Sequence, residues 1–220
     1  MTVIEFNFND DWMGEISRRL GDLNDKTPDV ISQATNSTAR KARKLIVQSL
    51  RERYAEDAKT KEYNAAMKIA RASRKKYDAT IYIRGKVQNL RRFNVSPKDP
   101  PASGSSRPPT TRAQVLLQGG LKELNKGGIK AFITTFKNGD VVVAQRNGSF
   151  YTYHRPTGGI DRHHEAIDKL WSISIPKMAE SQLDPKTVRG NMRDTIQAIL
   201  VEEIEKQIAR QLAKHGGNAG

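Results

Sequence analysis

The densest group of metal-ligand atoms in this chain is Asp161, His163, His164 and Glu165, with His154 close by. Imidazole and carboxylate are both metal ligands. The spacing does not. Adjacent residues on a strand or helix point apart, so His163 and His164 do not share an ion easily. The run also lacks the HExxH spacing that sets two imidazoles on one helical face. Gly119-Gly120 and Gly127-Gly128 have the composition of a phosphate loop, but no GK[ST] follows and neither pair joins a strand to a helix. Asp10-Asp11, Glu56-Asp57 and Glu202-Glu203 are neighbours in sequence, whereas acid–base work needs carboxylates that converge and lose water. No GxSxG elbow presents a serine. The expectation is no catalytic site, no metal and no cofactor.

The cations are the stronger signal. Lys and Arg number 38 against 24 Asp and Glu, a formal net charge of +14. Arg40, Lys41, Arg43 and Lys44 crowd one segment, Lys68, Arg71, Arg74, Lys75 and Lys76 the next, and Arg84, Lys86, Arg91 and Arg92 follow. Such density suits a polyanion: nucleic acid, an acidic protein surface or anionic lipid. No recognition element for bases accompanies it, so the expected contact is with phosphates and is non-specific. The site residues this reading selects are Arg40, Lys41, Arg43, Lys44, Arg71, Arg74, Lys75, Lys76, Arg91 and Arg92.

The elements that must carry these groups follow from pattern. Val3, Ile4, Phe6 and Phe8 read as a strand or extended arm, and Trp12, Met13, Ile16, Leu20 and Leu23 as one side of a short helix. Thr27-Pro28 predicts a helix start, with the hydroxyl as cap. That helix reaches about Tyr54, with an inner stripe of Ile31, Ala34, Thr38, Ala42, Leu45 and Ser49. Asn64 opens a third helix through Lys76, and Ala79–Arg84 is a strand. Residues 97–111, with five prolines, predict a mobile loop.

Lys130–Phe136 and Asp140–Gln145 alternate around Asn138-Gly139, the pair that best fits a two-residue hairpin turn. Residues 147–166 read as a second long loop or small β-excursion. Leu170–Ile175 is a strand stopped by Pro176. Asp184-Pro185 starts a last helix to Lys214, with Val188, Met192, Ile196, Ile199, Leu200, Ile204, Ile208 and Leu212 inside and Glu202, Glu203, Glu205, Lys206 and Arg210 in solvent.

The predicted class is α+β: a mainly antiparallel sheet packed by a long early helix and a long late amphipathic one. Residues 1–26 form an arm and short helix, 27–214 a single domain, and 215–220 a disordered tail. With 36% hydrophobic residues the core is modest. No cysteine is present, which removes disulfides and thiolate chemistry. No run of about 18 apolar residues crosses a membrane, and the acidic first ten residues are no signal peptide.

Taken in order, these pieces resemble the minor tail protein Z family of long-tailed phages and prophages, the tail-completion proteins. KARKLIVQSLRERY resembles its first long helix. IARASRKKYDATIYIRGKVQNLRRFNVSP resembles its helix, strand and aromatic-then-proline turn. RAQVLLQGGLKEL with KAFITTFKNGDVVVAQR resembles its central hairpin, with the Phe-x-x-x-Phe-x-Asn-Gly core, and KLWSISIPKM its last strand. The match runs over about residues 27–214; the aromatic stretch 147–165 departs from it.

The resemblance implies a virion component and no enzyme. It would be made in the host cytoplasm and act at the head-proximal end of the tail in head–tail joining. The implied partners are tail terminator, tail tube and connector proteins, a homo-oligomeric ring, and the phage DNA end. Two classes compete with it: a free, non-specific nucleic-acid-binding protein, and a metal hydrolase using His163, His164 and Glu165.

Overall fold

The computed structural model describes residues 1–6, 10–57, 60–102, 109–153, 162–183 and 192–215. Phe8 at the end of the expected strand or arm, the Asp184-Pro185 helix start, Val188, the centre of the Pro-rich loop, His154, Asp161 and residues 216–220 lie outside them. The class is α+β with antiparallel sheets throughout. The chain divides into two compact units. One comprises residues 1–50, 59–86 and 174–220; the other comprises 51–58 and 87–173.

The first unit is mostly helical. Strand β1 (Thr2–Phe6) leads to α1 (Asp10–Leu20), a 3₁₀ segment (Gly21–Lys26) and α2 (Thr27–Arg53), whose last three residues belong to the other unit. α3 (Thr60–Ala66) and strands β2 (Met67–Ala70) and β3 (Ala79–Ile83) follow. The chain returns in α4 (Ile175–Leu183) and α5 (Met192–His215).

The sheet runs β1-β3-β2. β1 pairs with β3 from Thr2↔Ile83 to Phe6↔Ala79, so the amino-terminal segment is a strand of its own sheet and not a free arm. The expected third helix is also corrected. It ends at Ala66, and Met67 and Ile69 alternate with Lys68 and Ala70 as a strand against Ile83 and Ile81. A period of two, with β3 waiting beside it, overrides the helix propensity of Ala and Lys.

One core joins three helices: Ile16 and Leu20 of α1, Val30, Ile31 and Ala34 of α2, and Leu200, Ile204 and Ile208 of α5, with Trp12, Met13, Leu23 and Tyr77 against it. Each large apolar side chain so buried contributes about 2 kcal/mol. The expected stripe of α2 holds as far as Ala42. Beyond that, Ile46, Val47 and Leu50 are buried while Leu45 and Ser49 are half-buried. The helix is covered on more than one side, so its buried face is wider than a single stripe. Thr27 does not cap. It is helical, continues from the 3₁₀ turn, and its hydroxyl has no partner among the described residues. Pro176 does not simply end a strand; it sits in the first turn of α4, where a missing N–H costs nothing.

The second unit is built of short strands: β4 (Val87–Asn89), β5 (Asn94–Ser96), β6 (Arg112–Gln114), β7 (Lys122–Glu123), β8 (Asn125–Lys126), β9 (Ile129–Lys130), β10 (Phe132–Thr135), β11 (Val141–Tyr153), β12 (Arg162–Lys169) and β13 (Trp171–Ser174). They pair as β10-β11-β12, β5-β6-β7, β13-β4 and β8-β9. The hairpin turns at Asn138-Gly139, but not as the expected two-residue turn: three residues, 137–139, span Phe136 and Asp140, and only Gly139 takes a positive φ. Phe136 N–H donates to Asp140 at 2.8 Å, and Asn138 Oδ1 accepts from Asp140 N–H at 3.1 Å. Ala131 and Ile133 point inward as expected, with Val142 to Ala144 opposite. Of the two readings of 147–166, the β-excursion is the one found. β11 continues to Tyr153, and β12 returns from Arg162.

Candidate functional surface

α2 sets the geometry of the cationic residues. Asn36 grips the segment after β2 in two bonds: its Nδ2 donates to the Ala72 carbonyl at 3.0 Å, and its Oδ1 accepts from Ala72 N–H at 2.9 Å. Two turns earlier, Asp29 holds Arg74 at 2.8 Å. Asp29, Asn36, Arg40 and Arg43 are spaced by seven, four and three, so they share one face of the helix. The segment from Arg71 to Lys76 is thereby laid along that face. Arg71, next to the anchored Ala72, stands at the end nearer Arg40. Arg40, Lys44, Arg71, Lys75 and Lys76 are exposed and Arg43 is half-exposed. None of these six has an acidic partner among the described residues. Arg40 bonds the Ser37 hydroxyl, at 3.1 Å.

The other four are engaged. Arg74 is held by Asp29. Lys41 lies 2.7 Å from Glu203 and 3.6 Å from Glu202 on α5. In the second unit, Arg92 pairs with the buried Glu56 at 3.2 Å, and Arg91 reaches Asp99 at 3.5 Å. Sequence density selected all ten alike. The structure separates a band of six from four that have acidic partners.

Glu203 is the largest surprise in this region. It was expected in solvent, yet its side chain is 3% exposed. It lies seven residues after Ile196 and three after Leu200, inside the buried stripe, while Leu212 is 41% exposed. Burial pushes the carboxyl up, but the bonds from Lys41 and Ser37 outweigh it and hold it below the usual range. Lys41 is raised by its bond to Glu203. Arg19 of α1 makes a two-pronged contact to Glu205 of α5 at 2.5 and 2.6 Å, which raises the guanidinium and lowers the carboxyl.

Of the histidine cluster, His164 and Glu165 have described side chains. His164 stacks on Tyr151 across β11 and β12, centroids 5.7 Å apart, and Glu165 accepts from Arg146 at 3.1 Å. Among the described residues no three His, Asp or Glu gather as metal ligands. No described helix is long and apolar enough to cross a membrane.

Sequence reading missed a second kind of surface. Phe150 (70% exposed), Tyr151, Ile167 and Trp171 stand out from the β11–β12–β13 region, and Leu116, Leu117 and Leu121 from the turn before β7. The expected LWSISI strand is present over Trp171–Ser174, and its Trp171 is exposed with Lys169 over the ring at 4.5 Å. No compositional signal marks which face of a short strand is left uncovered.

The chain thus combines a helical unit that carries a cationic band with a unit of small antiparallel sheets that leaves apolar side chains uncovered. The model of the prophage minor tail protein Z family (GPZ) matches residues 15–215, and the chain belongs to that family of phage tail proteins. No curated protein and no solved structure matches it.

Proposed function

We propose that this protein is a structural tail-completion component, acting at the head-proximal end of the tail in head–tail joining and performing no reaction. The observation that carries the finer part of this reading is the band of six cations along α2. Cations held without counter-charges on a rigid helix and an anchored segment suit a phosphate backbone or the acidic rim of a neighbouring ring. The partners follow from that place: tail terminator, tail tube and connector proteins, a homo-oligomeric ring in the virion, and the DNA end. Family membership favours this over a free nucleic-acid-binding protein.

The band is tested with Arg40→Gln, Arg43→Gln and Lys44→Gln together. Affinity of the full chain for duplex DNA, read by fluorescence anisotropy against salt, should fall, and the log–log slope should flatten by about 3. An unchanged slope removes α2 as the DNA contact. Gold labelling of virions tests the position: label at the tip distal from the head overturns the head-proximal reading.

A further inference from the structure

Asn-Gly occurs twice in the chain, at Asn138-Gly139 and Asn147-Gly148, and all of these residues are exposed. Asparagine before glycine is open to attack on its side-chain carbonyl carbon by the glycine nitrogen, because no Cβ on the glycine stands in the way. The two side chains are held alike. Asn138 Oδ1 accepts from Asp140 N–H at 3.1 Å, and its Nδ2 donates to Asp140 at 3.0 Å. Asn147 Oδ1 accepts from Ser149 N–H at 2.9 Å, and its Nδ2 donates to Asp168 at 3.2 Å. In both, a donor on Oδ1 favours the charge that attack would place there.

The attacking nitrogens differ. Gly139 N–H donates to the Phe136 carbonyl at 2.9 Å and closes the hairpin, between strands whose Ile133, Val142 and Val143 are buried. Gly148 belongs to a bulge, 147–149, that the β11–β12 register skips between Arg146↔Ile167 and Phe150↔Glu165. From Arg146 to Thr152 every residue of β11 is exposed, and beyond Ala144 no β10 residue pairs with it. What remains is a ribbon of β11 and β12. Two strands alone are marginal in water, so the ribbon opens at small cost.

We propose that Asn147 is a self-modifying site, converted by water to aspartate and isoaspartate in the folded protein well ahead of Asn138. The Gly148 nitrogen loses its proton to solvent base and bonds to Asn147 Cγ. The Cγ–Nδ2 bond breaks, Nδ2 takes a proton and leaves as ammonia, and a cyclic imide remains. Water then adds to either imide carbonyl. Breaking the bond from Cγ to the Gly148 nitrogen gives aspartate; breaking the backbone C–N bond gives isoaspartate, with the chain rerouted through the side chain. One water is consumed, one ammonia is released, and nothing is oxidised or reduced. At Asn138 the same step first requires the turn to surrender its bond to Phe136. The product also acts where it forms. It replaces a donor to Asp168 by a second carboxylate, and like charges facing each other across strands oppose pairing. Modification therefore loosens β12 from β11.

The wild-type full-length chain tests this. Held in mildly alkaline buffer and sampled over time, it is digested with trypsin, which puts the two asparagines on different peptides because Lys137 and Arg146 immediately precede them. Mass mapping should show the amide-to-acid change at Asn147 about 10-fold faster than at Asn138, the order that one backbone hydrogen bond and an easier opening supply. In denaturing urea the two rates should converge. Equal native rates, a faster Asn138, or a ratio unchanged in urea overturns the proposal; the last would trace the difference to neighbouring side chains and not to the fold. Asn147→Asp, which carries the product's charge from the start, should speed amide exchange in β12 about 10-fold while Asn138→Asp leaves it unchanged. Identical exchange in the two variants overturns the loosening. Each readout is independent of where virions carry the protein.

Discussion

The two units spend their apolar residues in opposite ways. Among the described residues, the first buries 24 hydrophobic ones and leaves four large ones exposed, Met1, Val3, Val201 and Leu212. The second buries ten and exposes nine. Its strands are mostly two to four residues long, too short to form a deep layer. Helices α1, α2 and α5 enclose a common core, whereas small sheets leave one or both faces open. The difference teaches that composition alone misleads here. A chain with 36% hydrophobic residues looks evenly poor in core. In fact one half is well filled and the other leaves nearly as many apolar side chains outside as it buries.

Truncating one large side chain in each unit would break this comparison most directly. Ile204→Ala removes atoms from a residue 1% exposed and should cost about 2–5 kcal/mol in a denaturant melt. Phe150→Ala, at a residue 70% exposed, should stay within about 0.5 kcal/mol. Similar losses at both positions would mean that the second unit has a core like the first.

Next comes Lys41→Met, which strips the buried Glu203 of its counter-charge. Glu203 is depressed in the folded protein, so its contribution is present above the unfolded value of about 4.3 and is lost as pH falls through the lower folded value. Lys41 is raised, so its contribution is present below about 10.4 and is lost as pH rises through the higher folded value. At neutral pH the variant should melt below wild type. Burial then pushes the unpaired carboxyl up, and the gap should narrow as acid protonates it. A gap that is constant with pH would show that Lys41 matters only as packing.

The smallest effect is expected at the hairpin turn. Gly139 has φ 85°, with open space where a Cβ would point. Gly139→Ala should therefore cost only the backbone penalty, about 1 kcal/mol, read as a small loss of thermal stability.

Much of the architecture was legible because its signals are periodic. The β3 strand, the Asn138-Gly139 hairpin, the long α2 and the apolar stripe of α5 from Ile196 to Ile208 all stand where pattern put them. The failures share a cause: a partner distant in sequence decided the outcome. Met67–Ala70 is a strand because β3 pairs with it, and Glu203 is inside because Lys41 and Ser37 meet it there. The surface was half legible. Charge density found the right segments, but only coordinates distinguish Arg40 and Lys44 from Lys41, a few positions away on the same helix and committed to α5. The uncovered aromatics of β11 carried no sequence mark, because alternation tells which residues share a side and not whether anything lies against it.

The contact of Arg19 with Glu205 spans 186 positions, and the apolar neighbours of Ile16 and Leu20 on α5 are about as remote. During synthesis these early side chains stay wet until almost the whole chain has left the ribosome. A nascent product that stops before α5 would show that bare patch to chaperones and proteases, and would be withdrawn before it reached a tail. Translation thus inspects its own work: only a chain long enough to close the helical unit has a surface fit to be built with.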